Sequence, residues 1–512
     1  MSPSKRKDGI CHICDVVTFW GICFLPFALF FHEEERIIYY TAQILPLLSW
    51  FAKIIFLSTR RQWKRTLLQY LLMVSALFLV TLLFGRQSPA RLMGTFFWEL
   101  GILSFFVLFI INREFPFRPS VSRWKLKRAF DVALGIYGFV VLLSCFISYF
   151  PEESFPQLRK GFVAYLLIYL CISDNVRTFE KFRKLVLVLY LFVILSSILV
   201  LLQGIAFPMG SYNVKYFLVK KEAVRLFDPA TLNPLFHVQF PFNHFQKTAL
   251  FLAIGLQLVM LQYFITVKRV SRRWVAVTGL IAVGGLLFTL SRTGFFTALA
   301  ASVLLILLTK KKYLITLGAI LLILAVFMPG LMRRHFLETF QPATFSNPSS
   351  DVSFYMERWA LTGEAIRSRP VFGTGYGWKQ FPEICRLVRP GAPFEKKPHP
   401  YSWYLQIALE SGMAGLWGYL LFSAFLLGLL YQRWRQHPPF SYYRGINAAL
   451  IALLVTPYLF GLTYFTARGG LVLLIWIVYG LCASYLKLTI KPKDIDMMRR
   501  ELEGEGESLE DL

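Results

Sequence analysis

The chain carries His399-Pro400-Tyr401-Ser402, which sets an imidazole two residues from a phenol. Histidine takes a proton from a hydroxyl near neutral pH, whereas a tyrosine, with its ordinary pKa near 10, is a poor base unless strongly perturbed. Upstream lie Arg225 in Val224-Arg225-Leu226-Phe227-Asp228, Arg292 in Leu290-Ser291-Arg292-Thr293-Gly294, Arg358 in Tyr355-Met356-Glu357-Arg358-Trp359, and the pair Arg159-Lys160. A guanidinium offers a fixed fork of donors that fits phosphate oxygens in pairs, and its charge does not titrate away. Several such cations at one membrane face would suit a pyrophosphate whose lipid tail stays in the bilayer. Each of them taken singly is also explained by snorkelling or by pairing with lipid headgroups.

The elements that hold these residues are set by hydropathy. The chain is 56% hydrophobic and only 16% charged, with mean hydropathy +0.54, well away from the mix of soluble domains. It reads as an all-α polytopic membrane protein. Apolar runs long enough to span begin near Ile13, Ile37, Leu67, Leu92, Ala129, Gly161, Leu185, Thr248, Val275, Phe295, Leu314, Gly412, Ile446 and Gly470, which makes about 14 spans (roughly 12–14). Ile13–Phe31 lacks a small-residue cleavage site, so it is expected to stay as a first helix. Between the later spans runs a polar stretch from about Met332 to Glu410, too polar for lipid and too long for a mere connector. This stretch is where recognition or chemistry is expected.

A net charge of +26 invites a nucleic-acid reading, but the basic residues are distributed by loop. Lys5 to Lys7, Arg60 to Arg65, Arg113 to Arg128, Arg177 to Lys184, Lys268 to Arg273, Lys310 to Lys312 and Arg433 to Arg444 fall in one alternating set. The positive-inside rule makes those loops cytoplasmic, and attraction to anionic lipid accounts for most of the charge, so no nucleic-acid partner is expected. The resulting organisation is N-terminal transmembrane helices over 1–207, a periplasmic loop over 208–246, central helices over 247–329, a large periplasmic loop of short helices over 330–411, C-terminal helices over 412–488, and a cytoplasmic acidic tail over 489–512.

Cysteine adds little: Cys385 alone falls in a large outer loop, and Cys11-His12-Ile13-Cys14 is half of a zinc site without a second ligand pair. No metal ligand set and no cofactor is expected. Gly373-Thr374-Gly375-Tyr376-Gly377 lacks the strand and helix of a dinucleotide site and reads as a turn.

From Arg225 to about Leu420 the chain resembles the O-antigen ligase and O-antigen polymerase superfamily of bacterial envelope glycosyltransferases. The resemblance rests on ordered pieces: Arg225-Leu226, Phe242-Asn243, Ser291-Arg292, Arg358-Trp359, Pro370-Val371-Phe372-Gly373-Thr374-Gly375, and the segment from His399 through Glu410-Ser411-Gly412-Met413-Ala414-Gly415. It implies a metal-independent, inverting glycosyltransferase of the bacterial inner membrane, with its site facing the periplasm. Such an enzyme passes a glycan from undecaprenyl pyrophosphate to an acceptor hydroxyl, either a lipid A-core sugar or another lipid-linked glycan. By position, Arg292 and Arg358 would hold the pyrophosphate, with Arg225 and Lys160 as further substrate-binding candidates. The chain departs from the commoner family pattern His-Pro-His-Asn, reading His399-Pro400-Tyr401-Ser402. Aligned without a gap, the functional position is Tyr401. His399 is the better base on chemistry, so both stand as catalytic candidates.

Within this class a ligase and a polymerase differ in the acceptor, which the residues do not name. A transporter of lipid-linked sugars is the competing class, since many spans and a basic lumen suit it too, but ionisable residues near the bilayer centre are scarce. The topology has a direct test: a reporter fused after Pro393 is expected to be active only in the periplasm, and activity in the cytoplasm would overturn both the orientation and the placing of the site.

Overall fold

A computed structural model describes residues 3–28, 46, 49, 121–206, 225–227, 234–236, 245–266, 269–309, 351–377, 380–390, 399–437, 442–464 and 470–488. In chain order the helices are α1 (Pro3–Ala28), α2 (Val121–Phe146), α3 (Pro151–Gln157), α4 (Ala164–Asn175), α5 (Phe179–Ala206), α6 (Phe245–Ile265), α7 (Arg269–Phe288), α8 (Arg292–Leu308), α9 (Asp351–Ser368), α10 (Phe381–Val388), α11 (Trp403–Gln436), α12 (Tyr442–Phe460) and α13 (Gly470–Lys487). A π-helical turn, Leu158–Val163, joins α3 to α4. Among the described residues the fold is helical apart from one antiparallel pair of three-residue strands, β1 (Arg225–Phe227) and β2 (Pro234–Phe236), in register Arg225 opposite Phe236.

Six helices are long and apolar enough to cross a membrane among the described residues: Pro151–Asn175, Phe179–Gln203, Phe245–Ile265, Ser271–Phe288, Trp403–Gln436 and Tyr442–Phe460. Shorter apolar helices cover Ile13–Leu25, Val132–Phe146, Arg292–Leu308 and Leu471–Lys487. The spans expected near Ile37, Leu67, Leu92 and Leu314 lie outside the described residues, as do Lys396, Lys397 and the acidic tail. Helices dominate for a physical reason: in hydrocarbon every backbone N–H and C=O must be satisfied within the segment or by a neighbour.

Helix α6 is the hub of the bundle. It is apolar nearly all round and buried along most of its length, packing against α5, α7, α8 and α12. Buried polar pairs fix the register of its neighbours. Gln257 Nε2 donates to Ser302 Oγ at 3.0 Å, joining α6 to α8, and Tyr190 and Thr278 share a hydroxyl hydrogen bond of 3.0 Å between α5 and α7. The long helix α11 lies along α2 and also meets α12, while α13 packs on α4.

Helix α11 is broken at Gly412, whose φ of 69° and ψ of −174° interrupt the hydrogen-bond ladder. The freed groups are taken up by a strap, residues 370–377, that crosses the break. Thr374 N donates to Leu409 O at 2.8 Å and Gly375 N to Glu410 O at 3.1 Å, while Met413 N and Ala414 N donate to Pro370 O and Val371 O at 2.8 and 3.1 Å. The crossing leaves no room for a side chain at its centre: a Cβ on Gly412 would sit 2.1 Å from Val371 O, and one on Gly373 would sit 2.5 Å from Gly412 N. Gly412→Ala is therefore expected to lower stability by at least ~1–3 kcal/mol from the left-handed backbone alone. Gly428→Ala, on the same helix with nothing within 4 Å of its added carbon, is expected to be neutral or to stabilise by about 0.5–1 kcal/mol. Thermal unfolding of the two variants in detergent checks the contrast; equal midpoints would sink it.

Candidate functional site

The hydrogen bonds and ring contacts at one end of the bundle form a closed circuit around His399 and Tyr401. Ser402 caps the start of α11 in extended conformation, and its hydroxyl donates to Gly461 O at 3.4 Å while Trp403 N donates to the same carbonyl at 2.8 Å. Gly461 begins the turn after α12; two residues on, Thr463 Oγ1 donates to Thr293 Oγ1 at 3.2 Å, beside Arg292 in the first turn of α8. On the other side, Trp359 Nε1 donates to Tyr401 O at 3.4 Å, beside Arg358 on α9. The Tyr401 ring lies 5.2 Å from that of Tyr355, whose hydroxyl accepts from Gln246 Nε2 at 3.3 Å at the start of α6. Helices α6 and α8 close the loop, since Gly294 allows α8 to approach Ala249.

Arg292 stands at the first position of α8, behind Ser291, whose side chain accepts from Gly294 N at 3.2 Å. A cation there opposes the helix dipole, so the arginine does not serve the helix. Exposed N–H groups, the dipole and a guanidinium do converge on an anion at such an end. Arg358 is 6% exposed. Its helix packs through Leu361 and Ala365 on Phe381, Ile384 and Cys385 of α10 and on Leu409 of α11. Burial pushes the Cys385 thiol up to about 12, partly offset by the Arg358 guanidinium, so that thiol stays protonated at neutral pH and is no nucleophile.

His399 is partly buried, its ring 6.2 Å from the Tyr401 ring in an edge-on arrangement. Among the described residues only Leu290, at φ 55°, and Tyr401, at φ 51°, are non-glycine residues in the left-handed region. Both flank the circuit, one two residues before Arg292 and the other two after His399. Such backbone costs on the order of 1–3 kcal/mol and persists where its surroundings dictate it. At Tyr401 those surroundings are the Trp359 and Tyr355 contacts.

Of the residues singled out from the sequence, His399 and Tyr401 make these contacts themselves, while Arg292 and Arg358 are the chain neighbours of Thr293 and Trp359, which make them. Arg225 stands on β1 and Lys160 in the π-helical turn. The aromatics near the site, Trp403, Tyr404 and Tyr376, make structural contacts. Trp403 stacks on Tyr419 at 6.1 Å and 19°, Tyr404 donates its hydroxyl to Tyr458 O at 2.9 Å, and Tyr376 packs edge-on against Phe162 at 6.3 Å. Reading by residue type missed Tyr355 and Gln246, which position Tyr401. It also missed Glu410, 6% exposed, which accepts a hydrogen bond from Gln406 Nε2. Its neighbours Ser411 and Gly412 were the available signal, since a carboxylate beside a glycine in an apolar helix needs a partner from elsewhere.

A helical protein with several apolar spans and a polar, arginine-bearing layer over one end defines a class of multi-pass membrane protein. Residues 276–420 match the family model described as O-antigen ligase, which supports a relation to the O-antigen ligase superfamily over that stretch. The family carries ligase- or polymerase-type function and is glycosyltransferase-like, with a lipid-linked glycan and an acceptor as substrates in general. No curated protein matches the chain. The matched stretch contains Arg292, Arg358, His399 and Tyr401 and leaves out Lys160 and Arg225.

His399 and Tyr401 are separable by mutation. With the neutral imidazole of His399 as the base, His399→Ala is expected to lower glycan transfer by roughly two to four decades, and the wild-type rate to fall as pH drops through the histidine range. Tyr401→Phe keeps the ring on Tyr355 and is expected to be mild. The opposite ranking in a turnover assay, with Tyr401→Phe dead and His399→Ala active, would hand the role to the phenol.

Proposed function

We propose that the protein is an O-antigen ligase-like glycosyltransferase that moves a glycan from undecaprenyl pyrophosphate to an acceptor hydroxyl at the periplasmic face of the inner membrane. What supports this reading is the family match over a stretch that holds Arg292, Arg358, His399 and Tyr401, with contacts running from Thr293 and Trp359, the neighbours of the two arginines, to the segment 401–403. In the reaction the acceptor oxygen attacks the anomeric carbon from the side opposite the pyrophosphate. The carbon–oxygen bond to the leaving group breaks with inversion, and the acceptor proton passes to His399.

Negative charge grows on the pyrophosphate as that bond breaks. Arg292 and Arg358 stabilise the charge more than the ground state, which is what lowers the barrier. With Arg358 held out of bulk water, its field acts in a medium of lower dielectric than the aqueous surface. The arginines supply the leaving-group stabilisation that other glycosyltransferases obtain from a divalent cation, so transfer is expected to proceed with a chelator present. The acceptor is taken to be a lipid A-core sugar. A polymerase extending another lipid-linked glycan uses the same donor chemistry and is the second reading, favoured by the family match as much as the first.

A transporter reading is weakened by the broken helix itself. Transporters of the discontinuous-helix kind leave half-helix ends open toward substrate. At Gly412 the N–H groups of Met413 and Ala414 and the carbonyls of Leu409 and Glu410 are taken by the strap.

The test uses purified protein, a lipid-linked glycan and an acceptor, without nucleotide sugar and with chelator. Arg292→Ala and Arg358→Ala are each expected to cost ~3–4 kcal/mol of transition-state stabilisation, two to three decades in rate, with insertion and folding retained. Lysine at either position is expected to restore little, because it lacks the fork. Near-normal turnover in both alanine variants would mean that these arginines meet only lipid headgroups.

A further inference from the structure

Helices α8 and α11 run from Arg292 and Trp403 to the opposite end of the bundle, where a second set of donors meets the helix ends. Lys487 Nζ donates to Ser173 O at 2.8 Å near the close of α4, and Arg433 donates to Tyr485 O and, at 2.9 Å, to Leu488 O at the close of α13. Tyr442 and Trp434 serve α6 and α8 in the same way, the phenol donating to Ile265 O at 2.7 Å and the indole Nε1 to Leu308 O at 3.0 Å. Arg444 is held differently. Its guanidinium carbon lies 4.1 Å from the centre of the Trp434 ring, and that ring is stacked with Tyr431 at 5.3 Å and 22°. In the first turn of α12 a cation opposes the helix dipole, so Arg444 does not serve its own helix.

The elements around this stack contain no carboxylate. The sequence holds no Asp or Glu from Pro229 to Leu337, which covers α6, α7 and α8, and none from Ser411 to Lys493, which covers the rest of α11 with α12 and α13. Arg272, Arg273, Arg433, Arg435 and Arg444 all lie in those stretches. The acids next along the same end, Asp174 and Glu180, are paired locally with Arg177 and Lys184. Neutralising charge for this corner therefore comes from outside the helices that build it.

The stack also ends an apolar face. On α11 the side chains of Met413, Trp417, Leu421 and Tyr431 are exposed, at spacings that keep them on one side of the helix. From Met413 to Tyr431 the helix rises about 27 Å at 1.5 Å per residue, close to the hydrocarbon thickness of a bilayer. Tyr431 and Trp434 then fall at headgroup depth, where aromatic rings of this kind collect.

We propose that Arg444, held on the Trp434 ring, binds the phosphate of an anionic phospholipid whose acyl chains lie along the Met413–Tyr431 face of α11. Stacking fixes the plane of the guanidinium, and its N–H edge then offers phosphate oxygens a paired set of donors. A soluble phosphate has the same oxygens but gains nothing from the apolar face below, so the geometry selects the lipid. Occupancy ties three helices together, since Trp434 already joins α11 to the end of α8 and Arg444 belongs to α12. The site is independent of the donor chemistry given above.

The test titrates the full chain in dodecylmaltoside micelles with phosphatidylglycerol or with phosphatidylcholine of the same acyl chains, reading retained lipid and the unfolding midpoint. Phosphatidylglycerol is expected to raise the midpoint by about 2–4 °C, and phosphatidylcholine by less than half as much. Arg444→Gln is expected to raise the half-saturating phosphatidylglycerol concentration about tenfold, the scale of one charge-assisted contact. Lys184→Gln removes one positive charge from the same end and is expected to leave that concentration within about twofold. Should the glutamine variant fail to fold, Arg444→Lys, which keeps the charge and loses the fork, is expected to weaken retention about fivefold. Equal retention of the two lipids, equal losses in Arg444→Gln and Lys184→Gln, or no loss in the Arg444 variants would overturn the proposal. Inorganic phosphate that matches phosphatidylglycerol at equal concentration would make this a site for a soluble anion. A response to lipid seen only in a chain cut before Glu501 would give the corner to the acidic tail, and either result would overturn the lipid assignment.

Discussion

Four backbone groups freed inside an apolar helix govern one end of this protein. At Gly412 the ladder of α11 stops, and in surroundings without water each orphaned N–H or C=O would cost as much as a lost hydrogen bond. The strap 370–377 satisfies them from both sides of the break. Once the strap is there, much else follows from its position. Helices α9 and α10 are carried on either side of it and pack on Leu409 just before the break, Arg358 is thereby brought under cover, and the 148–157 segment is bound to its far edge. A glycine with positive φ is the small covalent fact on which this arrangement turns.

The chemistry proposed for the site relies on the same constraint in another form. Two arginines are useful to a departing pyrophosphate only if their forks are already in place when charge develops. Arg292 is fixed by the start of a capped helix and Arg358 by a buried face of α9. Neither rests on a loop tip, where side-chain and backbone entropy would be lost on each turnover. The strained backbone at Leu290 and Tyr401 belongs with this pattern, because strain survives where packing and hydrogen bonds over-determine the geometry.

Much of this was legible in the sequence and part of it was not, and the division has a physical basis. Ten of the expected spans begin inside described helices, because lipid demands long apolar runs and such runs are visible one residue at a time. The helical reading of Phe354–Ser368 falls within α9, for its period shows locally. Arg292, Arg358 and His399 could be singled out by residue type alone. The start of a span at Gly412 illustrates the limit: the glycine marks a discontinuity, yet the helix begins at Trp403 and passes through the break, because the groups that make the break tolerable come from residues 370–377. Tyr355 and Gln246 were illegible for the same reason, their meaning residing in partners on other elements. Glycines 373, 375 and 377 read as a turn, which is true of their backbone and silent about what the turn crosses.

The strap joins segments made at very different times. Residues 148–157 leave the ribosome long before 370–380, and the break they jointly bridge lies later still, at 409–414. The turn Leu158–Val163 can enter the membrane early as part of an ordinary span, but the parts that seat it do not exist until the last third of the chain has been synthesised and inserted. Contacts of such long sequence separation form late in folding. A nascent or truncated chain would therefore hold residues 148–157 without the strap that ties them to the break in α11, so this end of the bundle is completed only when the last third of the chain is in place.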